Sequence, residues 1–124
     1  MTDPRLSLKL IYRANIFVVD RTHPALQMGR DDSNDIVVLS LFASRVHARV
    51  EAREDHFVLV DLSSNGTFVL PDAESDVESE VQREELRLRQ KEMVLSGRGW
   101  LGMGRSASTH GDHSVRFMLQ AEIG

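Results

Sequence analysis

The chain has 124 residues, 41% of them hydrophobic, and a net charge of -4, enough for one hydrophobic core and not two. It contains no cysteine, which excludes disulfides, thiol catalysis and cysteine-ligated zinc and fits a reducing, cytoplasmic setting. The acidic balance argues against nucleic-acid binding, which needs a basic face. No apolar run nears the roughly 20 residues that span a bilayer, and no leader pattern opens the sequence, so a soluble, unsecreted domain free of the membrane is expected.

Leu6, Leu8, Leu10 and Tyr12 alternate with Ser7, Lys9 and Ile11, and Ile16–Val19 follows after the polar step Arg13-Ala14-Asn15; both segments read as strands. Ala25–Met28, Ile36–Val38, His47–Arg53, His56–Val60 and Thr67–Leu70 continue the series, separated by Asp, Ser, Asn and Gly clusters that break strands into short runs. Glu54-Asp55 links two of them as a tight hairpin. Pro71–Glu85 is an acidic, apolar-poor stretch expected to be a solvated loop. From Glu80 to Leu95 a helix competes with strands. The apolar positions miss the i, i+3, i+4, i+7 spacing, so strands at Leu86–Leu88 and Met93–Leu95 are preferred. Trp100–Met103 and Ser114–Leu119 complete the set, with a polar loop over Arg105–His113. Short strands with polar punctuation predict a single all-β domain over 1–124, an antiparallel β-sandwich.

Three motifs fall where strands give way to loops: Gly29-Arg30, Ser44-Arg45-Val46-His47 and Asp61-Leu62-Ser63-Ser64-Asn65-Gly66-Thr67. Each alone is ordinary. Arg30 beside Asp31, Asp32 and Asp35 reads as a surface ion pair, Ser44-Arg45 as a polar strand start, and Asn65-Gly66 as a hairpin turn. Together they supply guanidinium forks, hydroxyls, a carboxamide and turn N–H groups, the donors that a dianionic phosphate monoester requires.

In the same order and at similar spacing, the motifs resemble the signature of the forkhead-associated domain, strongly over Ala25–Val69 and loosely over Glu84–Leu119. The resemblance implies a phosphothreonine-dependent peptide-binding module with its phosphate-binding loops at one end of the sandwich. It implies that Arg30, Ser44 and Ser64 contact the phosphate, that Arg45 adds charge or a peptide contact, and that Asn65 fixes the peptide backbone. Gly29, His47, Gly66 and Thr67 would support the loops, His47 bracing them by hydrogen bonds. The expected partner is a phosphothreonine-containing protein or peptide, with self-association as an alternative role, and no cofactor, metal or catalysis is expected. Residues 43–49, 57–61, 83–86 and 97–102 further resemble the forkhead-associated modules attached to bacterial class III adenylate cyclases, whose catalytic region this sequence lacks.

Three other patterns read as decoys. Gly97-Arg98-Gly99-Trp100-Leu101-Gly102 spells G-x-G-x-x-G, but strand-like residues stand where a dinucleotide site needs a helix. The glycines read instead as bends near an edge strand. His110-Gly111-Asp112-His113 reads as a solvated loop rather than a metal site. Ser44, His47 and Asp61 have triad residue types without a nucleophile elbow or oxyanion hole.

Overall fold

The computed structural model describes residues 5–72, 84–109 and 111–122. Alternating apolar residues draw these segments into eleven strands: β1 (Arg5–Tyr12), β2 (Asn15–Val19), β3 (Ala25–Gly29), β4 (Ile36–Val37), β5 (Ala48–Arg53), β6 (His56–Asp61), β7 (Thr67–Pro71), β8 (Leu86–Leu88), β9 (Glu92–Leu95), β10 (Arg98–Met103) and β11 (Val115–Glu122). A six-stranded sheet runs β2-β1-β11-β10-β7-β8 and a five-stranded sheet β4-β3-β5-β6-β9. Side chains of period two fill the space between them: Leu8 and Leu10 of β1, Val50 of β5, Leu59 of β6, Leu101 and Met103 of β10, and Phe117 of β11 are all buried. Among the described residues no helix is long and apolar enough to cross a membrane.

Two-residue turns close the β1–β2 and β5–β6 hairpins, with Arg13 and Glu54 in the left-handed region at φ 56° and 47°, the backbone twist that such turns need. Strands at Leu86–Leu88 and Glu92–Leu95 stand in place of the competing helix; residues 73–83, which include most of the acidic stretch, and His110 lie outside the described residues.

The expected antiparallel sandwich is present with one local exception, and the reading of the 97–102 glycines needs correction. The sandwich is antiparallel except at β4, which pairs parallel to β3 through Met28↔Ile36 and Gly29↔Val37. The reason is the intervening loop: the Asp35 N–H donates to Gln27 O at 2.9 Å and the Val38 N–H to Gly29 O at 2.8 Å, folding the chain back alongside β3 in the same direction. The glycines at 97–102 do not mark an edge, because β10 lies inside its sheet between β11 and β7. Gly99 instead makes room for the Phe117 ring, which a Cβ there would meet at 2.7 Å. The polar 105–113 loop carries two short 3-10 turns, Ala107–Thr109 and Gly111–His113, with Ala107 buried.

Candidate functional site

All three motifs lie at one pole of the sandwich, stitched together by their backbones. The Arg30 N–H donates to Ser44 O at 2.9 Å, and the Asp31 N–H to Arg45 O at 3.1 Å. Asn34, buried and aligned by Gln27, donates its carboxamide to Asp31 O and Arg45 O, both at 2.7 Å. Gly29 sits at this junction, where a Cβ would stand 2.2 Å from Arg45 O; only glycine allows the two loops to approach so closely. The Ser64 N–H donates to Ser44 Oγ at 3.2 Å, joining the second motif to the third. Gly66, at φ 93°, turns the third loop, and its carbonyl accepts the Gly104 N–H at 2.9 Å.

His47 is the central brace. Its Nδ1 accepts the Ser44 N–H at 2.9 Å, and its Nε2–H donates to Gly66 O at 2.9 Å, so the neutral Nε2–H tautomer ties the second loop to the third. Burial pushes its pKa below the usual 6.5, against the opposing pull of Gly66 O and Asp61. Protonation would turn the Nδ1 acceptor into a donor facing the Ser44 N–H. The unfolded chain therefore binds this proton more readily than the folded one, and stability is present above about pH 6.5 and lost as pH falls through the depressed folded value. Thermal melts should show this loss from about pH 6.5 downward, and the slope should flatten in His47→Gln, which does not titrate.

Asp61, also buried, is the second brace. Its Oδ1 accepts from the Ser63 hydroxyl and the Thr67 hydroxyl, each at 2.7 Å, and from the Ser63 N–H at 3.3 Å, while Oδ2 accepts the Gln90 N–H at 2.8 Å. The Ser63 hydroxyl in turn accepts the Gly66 N–H at 2.7 Å. These bonds dispose of the triad: both ring nitrogens of His47 are taken by backbone, the Asp61 carboxylate serves the turn, and among the described residues no base is hydrogen-bonded to Ser44 Oγ.

Two residues that the sequence did not mark complete the scaffold. Arg87 of β8 donates from Nε at 3.0 Å and from its terminal nitrogen at 2.6 Å to Asn65 O, with its guanidinium 5.1 Å from the centre of the Phe68 ring. Gln90, at φ 55°, adds a side-chain bond to Ser63 O. The only local hint was the alternation of Leu86 and Leu88, which makes β8 a strand but does not say that it pairs with β7 at Thr67↔Leu88.

Against this committed scaffold, the outward groups are free. Among the described residues the side chains of Arg30, Arg45, Ser64 and Asn65, all exposed, make no hydrogen bond or ion pair, so the alternative of an Arg30 pair with Asp31, Asp32 or Asp35 is not formed. Asp31 is occupied by Ser33, whose hydroxyl and N–H hold its pKa below the usual range with a smaller contribution from the Arg45 charge. Asp35 accepts the Gln27 N–H at 2.8 Å. Ser44 is half-buried, and its oxygen accepts from Ser64 N–H while the hydroxyl proton stays available. At the decoy loop, His113 Nδ1 meets the Tyr12 hydroxyl at 2.9 Å, and no group of three metal-ligating side chains occurs among the described residues.

Residues 26–96, more than half of the chain, match the family model for the FHA domain. A search of curated protein sequences finds no match. Among solved structures the chain is similar to the first FHA domain of Mycobacterium tuberculosis Rv1747, at 15% identity and TM-score 0.62 over 96% of this chain and 99% of that one. It is also similar to M. tuberculosis EmbR in complex with a low-affinity phosphopeptide, at 26% identity and TM-score 0.59 over 97% of this chain and 25% of that one. A third is the MEK1 FHA domain in complex with a phosphothreonine peptide of HOP1, at 17% identity and TM-score 0.61 over 94% of this chain and 97% of that one. With the motif-bearing loops gathered at one pole of a two-sheet sandwich, the chain belongs to the forkhead-associated (FHA) family, a family of binding modules and not of enzymes.

Proposed function

We propose that the chain is a signalling module that binds a phosphothreonine-containing segment of a partner protein. The observation that carries this is the division of labour at the pole. The scaffold side chains His47, Asp61, Ser63, Thr67 and Arg87 are committed to one another or to backbone, whereas Arg30, Arg45, Ser44 and Ser64 present donors outward. Arg30, Ser44 and Ser64 take the phosphate oxygens, Arg45 adds charge, and Asn65 holds the peptide backbone. Gly29, His47, Gly66 and Thr67 keep these groups in place. The EmbR and MEK1 FHA structures, both holding phosphopeptides, support the reading.

Each hydrogen bond to a charged group contributes roughly 1.5–3 kcal/mol, so three or four, with the remaining peptide contacts offsetting the costs of association, are compatible with micromolar affinity, about -8 kcal/mol. Glutamate, with less charge and fewer oxygens, is a poor mimic. The test is fluorescence anisotropy with an oriented phosphothreonine peptide library against phosphoserine and unphosphorylated counterparts; absence of phosphate dependence throughout would sink the proposal. Arg87→Ala should weaken binding about fivefold, since Asn65 loses both bonds to its carbonyl, while the melting temperature barely moves.

The resemblance to cyclase-attached modules supports a parent protein that is a class III adenylate cyclase, which the phosphopeptide would regulate. Cyclic AMP formation by the parent polypeptide, with and without the peptide, tests this, and a parent inert towards ATP would refute it.

Phosphate-independent self-association has one observation in its favour. Across the outer face of the six-stranded sheet, Ile16, Ile11, Arg116, Trp100 and Leu70 form a single register row. A cavity of about 330 Å³ lies beside it, lined by Ile11, Arg13, Trp100 and Arg116 among others. Association that survives Arg30→Ala and disappears with Trp100→Ser in sedimentation runs would favour this role.

A further inference from the structure

Four strands stand at sheet edges, β2 and β8 in one sheet and β4 and β9 in the other. An edge invites pairing with another chain unless it is short or charged. Strand β4 has two residues and β8 three. Strand β9 opens on Glu92, whose carboxylate holds the Arg53 guanidinium at 2.9 and 3.1 Å. Strand β2 has neither protection. Asn15-Ile16-Phe17-Val18-Val19 is five residues long without a charge or a proline, and Ile16 and Val18 are 61% and 44% exposed.

The turns at the two ends of β2 define which of its backbone groups are open. The Arg13-Ala14 turn closes on Tyr12↔Asn15, and the pair flanking a two-residue turn exchanges both of its hydrogen bonds. The N–H and C=O groups of Asn15, Phe17 and Val19 therefore face β1, and those of Ile16 and Val18 face away from the sheet. The next outward N–H, that of Asp20, already donates to His23 O at 3.1 Å. Among the described residues nothing bonds to the outward groups of Ile16 and Val18.

These open groups are symmetric about Phe17. Antiparallel pairing with β2 of a second copy, about a two-fold axis at Phe17, sets Ile16 opposite Val18 and Val18 opposite Ile16, each pair exchanging two hydrogen bonds. A slip of two residues either way loses half of these bonds, and a slip of one turns the side chains to the wrong faces. Ile16 and Val18 of the two copies then interleave on the outer face. Phe17, half-buried against the core, meets its equivalent at a non-hydrogen-bonded pair, where side chains approach most closely. At each end Asp20 falls opposite Ala14, one residue from Arg13 of the other copy, so opposite charges meet.

We propose that β2 is a dimerisation edge through which two copies of the chain join their six-stranded sheets into one. A second copy is selected over an unrelated strand because the open groups and the Ile-Phe-Val pattern read alike in both directions, so the edge is its own complement. Five residues a side bury less than the roughly 1,200–2,000 Å² of a stable interface, which makes the dimer reversible, with Kd on the order of 100 µM. Tyr12, opposite Asn15, marks the recognition pole through its bond to the Leu39 N–H, and Val19 lies towards the far pole. Antiparallel pairing thus points the two recognition poles in opposite directions. The dimer does not rest on the phosphothreonine reading; combined with that reading, it bridges two phosphorylated partners rather than gripping one twice.

Sedimentation equilibrium without peptide, from about 10 µM to about 1 mM, tests the proposal. Wild type should rise from monomer towards dimer mass across this range. Ile16→Glu/Val18→Glu sets carboxylates directly opposite one another across the pairing and should weaken the dimer more than tenfold; both positions are exposed, and the Val18→Glu carboxylate stands opposite Lys9 within the monomer. Val18→Pro removes an outward N–H without touching the ladder to β1 and should do the same, so either variant serves if the other does not fold. Trp100→Ser, three strands or about 14 Å from the edge, should leave the dimer intact. Because the chain has no cysteine, Phe17→Cys should oxidise to a disulfide-linked dimer, whereas Asn15→Cys, with its equivalent roughly 13 Å away in this register, should not. A wild type that stays monomeric throughout, or a dimer that survives both β2 variants, would overturn the proposal. So would a dimer that Trp100→Ser abolishes and Val18→Pro spares, which would assign the contact to the sheet face, and equal cross-linking of both cysteine variants would overturn the register.

Discussion

Replacing Arg30 by alanine should lower the affinity for a phosphothreonine peptide about 50-fold and leave the melting temperature within about 1 °C of wild type. The two halves of this result have separate causes. Charge-assisted bonds from a guanidinium fork to a phosphate are worth roughly 2–3 kcal/mol, and about 2.3 kcal/mol corresponds to 50-fold. The side chain is exposed, and no described residue pairs with it, so the folded state loses nothing with it; what matters for the fold is the Arg30 N–H on Ser44 O, which alanine retains. Arg30→Lys should fall between, keeping the charge and losing the fork. Anisotropy and calorimetry on the same samples check both halves, and a large drop in melting temperature would mean that Arg30 is a structural ion-pair residue after all.

The converse is expected at Asp61. Asp61→Ala should cost about 4 kcal/mol of stability, since a buried carboxylate disappears from under the Ser63 and Thr67 hydroxyls and the Gln90 N–H and leaves those donors without an acceptor. For a chain of this size that amounts to roughly 12–20 °C in melting temperature. Asp61→Asn keeps one acceptor oxygen and should lose about half as much. Because the Ser63 hydroxyl also receives the Gly66 N–H, the third loop loosens with it, and peptide affinity should fall even at temperatures where the variant is fully folded. A melting temperature unchanged in Asp61→Ala would show that water replaces the carboxylate.

The strands and the loop motifs are legible in the sequence because their signals are local. Leu8 and Leu10 alternate with Lys9 and Ile11, Glu54-Asp55 marks a turn, and Asn65-Gly66 marks another. What escapes is the meaning of residues that act across the fold. Asp61 reads as the first residue of the third motif and as a triad residue type, yet it gathers donors from positions 63, 67 and 90. Arg87 reads as the polar half of an alternating pair, although its partner is 22 residues away, beyond the acidic stretch. Strand order is invisible to alternation, which is why the glycines of β10 suggested an edge while two neighbours enclose the strand.

The pairing of β1 with β11 begins at Arg5↔Glu122 and reaches Tyr12↔Val115, and Tyr12 touches the Leu39 loop at the recognition pole. Both Arg5 and Glu122 therefore sit at the far pole, a strand length of about 26 Å from the phosphate-facing groups. A phosphothreonine on the same polypeptide, tethered through either of these residues, must run the whole height of the sandwich to dock, which takes at least about eight extended residues. Shorter tethers give an effective concentration near zero, and longer ones one that declines slowly with length. The fold thus converts tether length into a choice between engaging its own polypeptide and engaging another.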